Sequence, residues 1–362
     1  MPQFRYANPP LIFWGAGCAR EGLLDVLGSA RRVLLVTTQS AVRDQALSGA
    51  VATMLGERLL GRAVVGQHAP AASVMEAVSQ ARSADALVSL GGGSPIDAAK
   101  AIAFSLATGL DLREPDAPQR SRSMTVKDPL RHVALPTTLS VAELSGSAGF
   151  SAEGTREKVG VNAPQLVPKA VFYDAELALR TPLPLWLSTG IRAVDHAVET
   201  LLAEGEHPLP DTCALEALRR LKVALPAAKA RPEDAGARTD GQLGAWFSYL
   251  LPAKAASGLS HRLGKQIGSR HGIPHGVTSC LLLPHVLRYL TPRHEKACRL
   301  IAEALEARTA ADGVAELIER LEVPRHLSQW KLTDDDLRAA ARPLVSDEHV
   351  EADLVAILRA AL

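Results

Sequence analysis

The sequence predicts an α/β N-terminal domain of the dinucleotide-binding kind followed by an all-α C-terminal domain, and three observations carry that expectation. Short apolar runs alternate with helical stretches up to about residue 182. Beyond it the texture changes to Ala, Leu, Arg and Glu recurring at helical spacing, with little β-branched clustering. A glycine-rich turn follows one of the apolar runs and precedes a helical stretch, the place where a parallel sheet commonly offers a phosphate its backbone.

Taken in order, Arg32 to Val36, Arg62 to Val65, Ala86 to Leu90 and His132 to Leu135 read as strands buried on both faces, as a helix-covered parallel sheet requires. Gln45 to Leu59 and Ser73 to Ser83 read as the helices between them. A further extended pair is expected at Lys158 to Val161 and Ala170 to Tyr173, and Leu110 to Met124 reads as a polar loop with the look of a lid or a plain connection. The boundary falls at Thr181-Pro182-Leu183-Pro184, where two prolines stop what precedes and can start a helix. The domains are therefore expected at 1–182 and 183–362.

Composition removes whole classes of function. The 362 residues are 47% hydrophobic and 22% charged, ordinary for a globular chain, so disorder and coiled coil are excluded. Forty basic against thirty-nine acidic side chains leave a net charge of +1, with no global field to gather nucleic acid or an anionic membrane. The four cysteines show no CxxC spacing, which argues against a disulfide scaffold or a thiolate zinc site and for a reducing, cytoplasmic setting. No apolar run reaches about 18 residues and the N-terminus lacks an export signal, so neither a membrane span nor secretion is expected.

Gly91-Gly92-Gly93-Ser94-Pro95 lies between the strand ending at Leu90 and a helix that Ser94 is expected to cap, with Pro95 at its first position. Three glycines let backbone N–H groups approach a phosphate, and the helix start adds the positive end of its dipole. The turn matches neither GxGxxG nor GxxxxGK[ST], so the signal rests on its setting.

Four segments in order, Gly91 to Asp97, Leu135-Pro136-Thr137-Thr138, Gly190-Ile191-Arg192-Ala193-Val194-Asp195-His196-Ala197-Val198-Glu199, and Ile273-Pro274-His275-Gly276, resemble the motifs of the iron-containing alcohol dehydrogenases. The chain looks most similar to the maleylacetate reductase branch. The resemblance implies the dehydroquinate synthase-like fold, a cytoplasmic homodimer, and NADH or NADPH as cofactor. The implied reaction is hydride transfer to a small carboxylated oxo or enoate substrate, in the specific case maleylacetate to 3-oxoadipate in aromatic breakdown. It also implies that Gly92, Gly93, Ser94 and Asp97 hold the cofactor, that Thr137 and Thr138 line the ribose and nicotinamide, and that Lys158 reaches the ribose. Strictly NAD-using members carry aspartate where Thr38 stands; its absence removes the repulsion of a 2′-phosphate, so both cofactors are expected.

The resemblance further implies a metal set of one aspartate and three histidines, and here the sequence departs. His196, His261 and His275 match the histidines, while Arg192 stands at the aspartate, one turn before His196, and Asp195 lies about 100° around the helix from His196. A cation about 5 Å from a divalent metal costs roughly 6 kcal/mol at an effective dielectric near 20, or about four orders of magnitude in affinity. Lys265 likewise replaces a relay histidine, on the same helix face as His261. Two readings follow: a three-histidine Fe²⁺ or Zn²⁺ site, with a metal-dependent alcohol or aldehyde dehydrogenase as the alternative function, or a metal-free one. In the second, Arg192 or Lys265 stabilises the developing alkoxide and a desolvated Lys265 delivers the proton, with His261 beside them. Arginine would also suit a substrate carboxylate. An alternative of a different class is a nucleotide-binding family member with lost or redirected activity. Glu199 is expected to brace its helix, and Cys280 to pack in the core.

Overall fold

A computed structural model describes residues 8–152, 158–205, 207–250, 258–345 and 348–362. Two compact units divide at Thr181/Pro182. Among the described residues no helix is long and apolar enough to cross a membrane.

In the α/β unit a six-stranded parallel sheet runs in the order β1-β8-β5-β4-β2-β3, formed by β1 (Leu11–Trp14), β2 (Val33–Thr38), β3 (Leu59–Val65), β4 (Ala86–Gly91), β5 (Arg131–Pro136) and β8 (Ala170–Tyr173). A separate antiparallel hairpin joins β6 (Ser147–Ser151) to β7 (Lys158–Asn162). The central strands are apolar on both faces because both are covered. Val33, Leu35, Val88 and Leu135 pack with α1 (Cys18–Leu27) and α3 (Gln45–Leu55). Leu34, Val36 and Leu87 point the other way, to α4 (Ala71–Ala81) and α5 (Gly93–Thr108). Each fully buried Leu or Val in these layers contributes about 1.5–3 kcal/mol.

Several expectations are corrected here. β3 is an edge strand whose residues alternate between exposed and covered positions, so it is not buried on both faces. β7 and β8 do not pair with each other: β7 pairs with β6, and β8 lies inside the main sheet. Leu110 to Met124 is not an open lid, because Leu110, Leu112 and Ala117 are buried in the core with a short helix, Ala117–Ser121, among them. Nor does Ser94 cap α5; the cap position is Gly92, with no side chain bonding to the helix end.

The helical unit is built around α8 (Leu183–Leu202), whose residues from Trp186 to Leu201 are buried all round, the pattern of a helix inside a bundle. It packs on α9 (Pro208–Ala230), and close approach there needs a glycine: a Cβ at Gly190 would sit 2.3 Å from Leu225. α10 (Ala235–Ser248) contributes Arg238, buried and stacked 4.5 Å over the Trp186 ring. Two further helices, α11 (Leu259–His271) and α12 (His275–Leu290), bring the remaining site residues to α8.

Candidate functional site

Most of the residues expected to hold a cofactor in the α/β unit gather at the C-terminal ends of its parallel strands. Gly91 ends β4 with φ +135°, in the region that favours glycine, and Gly92 and Gly93 open α5. A Cβ at Gly92 would meet the Thr138 hydroxyl at 3.0 Å. That hydroxyl is buried and has no hydrogen-bond partner among the described residues. An uncapped helix start, a bare glycine pair and an unsatisfied hydroxyl together fit the diphosphate end of a dinucleotide.

Thr137 lies beside them, tied down through its backbone: its N–H donates to Gly91 O at 2.9 Å and its carbonyl accepts from the Thr181 hydroxyl at 2.6 Å. Ser94 accepts from the backbone N–H of His68 at 3.0 Å, which anchors the preceding loop to the glycine turn. Thr38 ends β2 and caps the next short helix, accepting from Ala41 N–H at 3.4 Å; no carboxylate stands at that strand end. Lys158 begins β7, and its side chain lies outside the described residues.

Asp97, expected to hold the cofactor, has a task within the fold as well. Its carboxylate pairs with Lys100 at 2.8 Å and accepts from Gly149 N–H at 3.2 Å, so it clips α5 to the β6–β7 hairpin. Lys100 is fully buried and also donates to the carbonyls of Ala142, Ser145 and Ser147. Close by, the Tyr173 hydroxyl donates to buried Glu143 at 2.9 Å, and burial pushes that carboxyl up to about 7.

In the helical unit the cluster centres on Arg192, 7% exposed. Its Nη1 donates to the Ser279 hydroxyl at 2.9 Å and to Asp195 Oδ2 at 3.3 Å, and its Nη2 lies against both ring nitrogens of His261, 3.0 Å from Nε2. Asp195 is fully buried; burial pushes its carboxyl upward while Arg192 and the hydroxyls of Ser279 and Ser260 oppose that shift. Glu199 accepts from the backbone N–H groups of His261 at 2.9 Å and Gly258 at 3.3 Å. It thus supplies from α8 the cap that the start of α11 otherwise lacks. Gly258 makes room for it, since a Cβ there would lie 2.4 Å from Glu199 Oε1. Burial, with Asp195 nearby, pushes the Glu199 carboxyl up to about 8.

His196 is buried, its ring centroid 6.1 Å from that of His261 and 5.0 Å from that of Tyr249. Burial first, then Arg192 and His261, hold it well below the usual imidazole range. His275 begins α12, half-buried, beside a tight approach in which a Cβ at Gly276 would meet the Ser188 carbonyl at 2.8 Å. Among the described residues no three His, Cys, Asp or Glu side chains are arranged to hold a metal ion. The donor set does not fit a divalent cation: a guanidinium sits where the anionic ligand would stand and takes the ring edge of His261.

Two further corrections concern named residues. Lys265 is exposed, so the desolvated proton donor expected there is absent. Asp195, set aside for lying off the His196 face, is the counter-charge of Arg192; three residues apart on a helix are neighbours, and that spacing was the available signal. Ser260 and Ser279 carried no such signal, because helix packing alone brings them in.

Family models match along the chain: the iron-containing alcohol dehydrogenase model over residues 9–175 and the C-terminal model of the Fe-containing alcohol dehydrogenase family over 186–359. The chain belongs to the iron-containing alcohol dehydrogenase family and is an NAD(P)-dependent oxidoreductase. Among its relatives, the maleylacetate reductase of Burkholderia cepacia is 29% identical, over 97% of this chain and 95% of that one. The maleylacetate reductase of Sphingobium indicum is 30% identical, over 96% of this chain and 92% of that one. The crystal structure of maleylacetate reductase from Agrobacterium tumefaciens superposes with a TM-score of 0.84 at 27% identity, covering 100% of this chain and 99% of that one.

Proposed function

We infer that this chain is an NAD(P)H-dependent reductase of the maleylacetate type, acting on a small dicarboxylate that carries an oxo group conjugated to a carbon–carbon double bond. The observation that carries the substrate class is the buried Arg192 guanidinium, bonded to side chains only and held against His261. Such a cation suits an anionic oxygen of the substrate, carboxylate or developing enolate. The relatives from Burkholderia cepacia and Sphingobium indicum, which share nearly the full length of the chain, are named for that reaction.

Bound NAD(P)H supplies the hydride. The hydride adds to one alkene carbon, the electron pair of the double bond moves toward the oxo oxygen, and a proton ultimately from water completes the saturated oxo acid. Arg192 stabilises the negative charge on that oxygen, the task that a divalent cation performs elsewhere. Gly92, Gly93 and Thr138 fit the cofactor diphosphate, with Thr137 and Ser94 shaping the turn around it. The hydroxyl of Thr38 at the end of β2 leaves a 2′-phosphate unopposed, which supports use of both NADH and NADPH. The metal-free form of the site is part of the proposal, as is a homodimer.

The test is oxidation of NADH and NADPH with maleylacetate, a panel of saturated oxo acids, and uncharged aldehydes and alcohols. Preference for maleylacetate over uncharged substrates supports the reading. Turnover of alcohols or aldehydes alone would replace it with the alcohol dehydrogenase reading. Cofactor binding without turnover of any substrate would favour a redirected family member.

A further inference from the structure

Asp195 is a heavily bonded side chain of the helical unit that the reaction above leaves unused. Its Oδ2 accepts from the hydroxyls of Ser279 at 2.6 Å and Ser260 at 2.9 Å and from Arg192 Nη1 at 3.3 Å. Ser279 accepts from Arg192 while it donates to Asp195, as a hydroxyl can, and so closes a ring of three side chains from α8 and α12, with Ser260 reaching in from α11. Asp195 Oδ1 is buried and has no hydrogen-bond partner among the described residues, so the bonding there is gathered on the one oxygen that faces Arg192.

A buried ion pair contributes little net stability, because desolvation offsets most of its attraction, and apolar residues would hold three helices together as well. What apolar residues could not do is keep a guanidinium buried. Without a counter-charge the long, flexible arginine would swing to water. With Asp195 and Ser279 engaging Nη1, the plane of the guanidinium is fixed and Nη2 is directed at His261.

We propose that Asp195, acting through Ser279, is the positioning residue of the substrate site: it locks Arg192 against His261 so that the guanidinium meets the substrate's anionic oxygen in one preset orientation. The proposal rests on the reading of Arg192 given under Proposed function. Asp195 itself touches no substrate. Its effect appears wherever the orientation of Arg192 matters and is absent from cofactor binding in the α/β unit.

The test uses the full-length protein with Asp195→Asn, which keeps the shape and loses the charge, and Ser279→Ala, which removes the bridging hydroxyl alone. Steady-state kinetics with maleylacetate and NADH are measured well below the melting temperature of each variant. The ring nitrogens of His261 are followed by ¹⁵N NMR on histidine-labelled protein. The expected result for Asp195→Asn is a kcat/KM for maleylacetate lower by about 100-fold, with KM for NADH within about twofold of wild type and a changed His261 nitrogen pattern. Ser279→Ala is expected to lose about 10-fold with the same selectivity. Folded variants with a lowered melting temperature, unchanged kinetics and an unchanged His261 spectrum would overturn the proposal and leave Asp195 a structural staple. Should Asp195→Asn fail to fold, Ser279→Ala decides by the same criteria. Should the wild type reduce no substrate, the functional reading fails, while the His261 spectrum still tests whether Asp195 holds Arg192 in place.

Discussion

Each unit of the protein buries a cation paired with a carboxylate, Lys100 in one and Arg192 in the other, and the two are used differently. Lys100 in the α/β unit spends its ammonium on Asp97 and the carbonyls of Ala142, Ser145 and Ser147, groups that belong to the scaffold. Among the described residues, Arg192 in the helical unit bonds only to side chains, and one of them is the half-buried His261. A cation saturated by backbone carbonyls is a clip. A cation held by a carboxylate and a hydroxyl, with its other edge on a histidine ring, is the arrangement proposed above as the substrate site.

The comparison breaks most visibly at Lys100. Lys100→Met leaves Asp97 without its partner and three carbonyls without donors, and should cost about 3–5 kcal/mol in chemical denaturation. The folded fraction should keep its kcat/KM. Next, Arg192→Ala should lower kcat/KM for maleylacetate by about 10²–10³, the loss typical of one preorganised oxyanion donor. A variant with wild-type turnover and reduced stability would place Arg192 beside Lys100 as a clip.

Glu143 sharpens the same contrast through pH. Its carboxyl is fully buried and pushed up to about 7, so between about 4.5 and 7 the native state binds more protons than the unfolded chain. Stability should therefore fall as pH rises through that window, by at most about 3.5 kcal/mol for this group. Glu143→Gln should flatten the decline in thermal melts between pH 5 and 7.5; an unchanged slope would assign the decline to other groups. The smallest effect is expected at Lys265. Exposed as it is, Lys265→Ala should change stability by no more than about 0.5 kcal/mol and leave kcat within about threefold. A large loss of kcat would return it to the reaction as the proton donor.

What could be read from the sequence was whatever is local. The run Val33 to Val36, the Gly91-Gly92-Gly93 turn and the prolines at 182 and 184 act over a few residues, and the structure has a buried strand, a glycine-opened helix and a unit boundary there. The edge position of β3 was not legible, because Leu59 to Val65 carries strand residues whichever neighbours it has. The short strands Leu11–Trp14 and Ser147–Ser151 exist through their pairing, with β8 and β7 respectively, more than through composition.

The site divides along the same line. Arg192 at a metal-ligand position was visible by resemblance, and the i, i+3 spacing to Asp195 was there to be read. Ser260 and Ser279 lie 65 and 84 residues from Asp195, and only the packing of α11 and α12 on α8 brings them to it. Lys265 shows the opposite failure. Its helix spacing was read correctly, but spacing says nothing about which face meets water.

The central claim is that a positioned arginine does here what a divalent cation does in metal-bearing relatives. The most direct test is elemental analysis of protein purified without added metal, before and after exhaustive chelation, with NADH oxidation on maleylacetate followed in each sample. The account predicts well under one equivalent of iron or zinc and undiminished turnover after chelation, lost in Arg192→Ala. One equivalent of metal that leaves together with the activity, and restores it on return, would contradict the account and make His196, His261 and His275 the ligands.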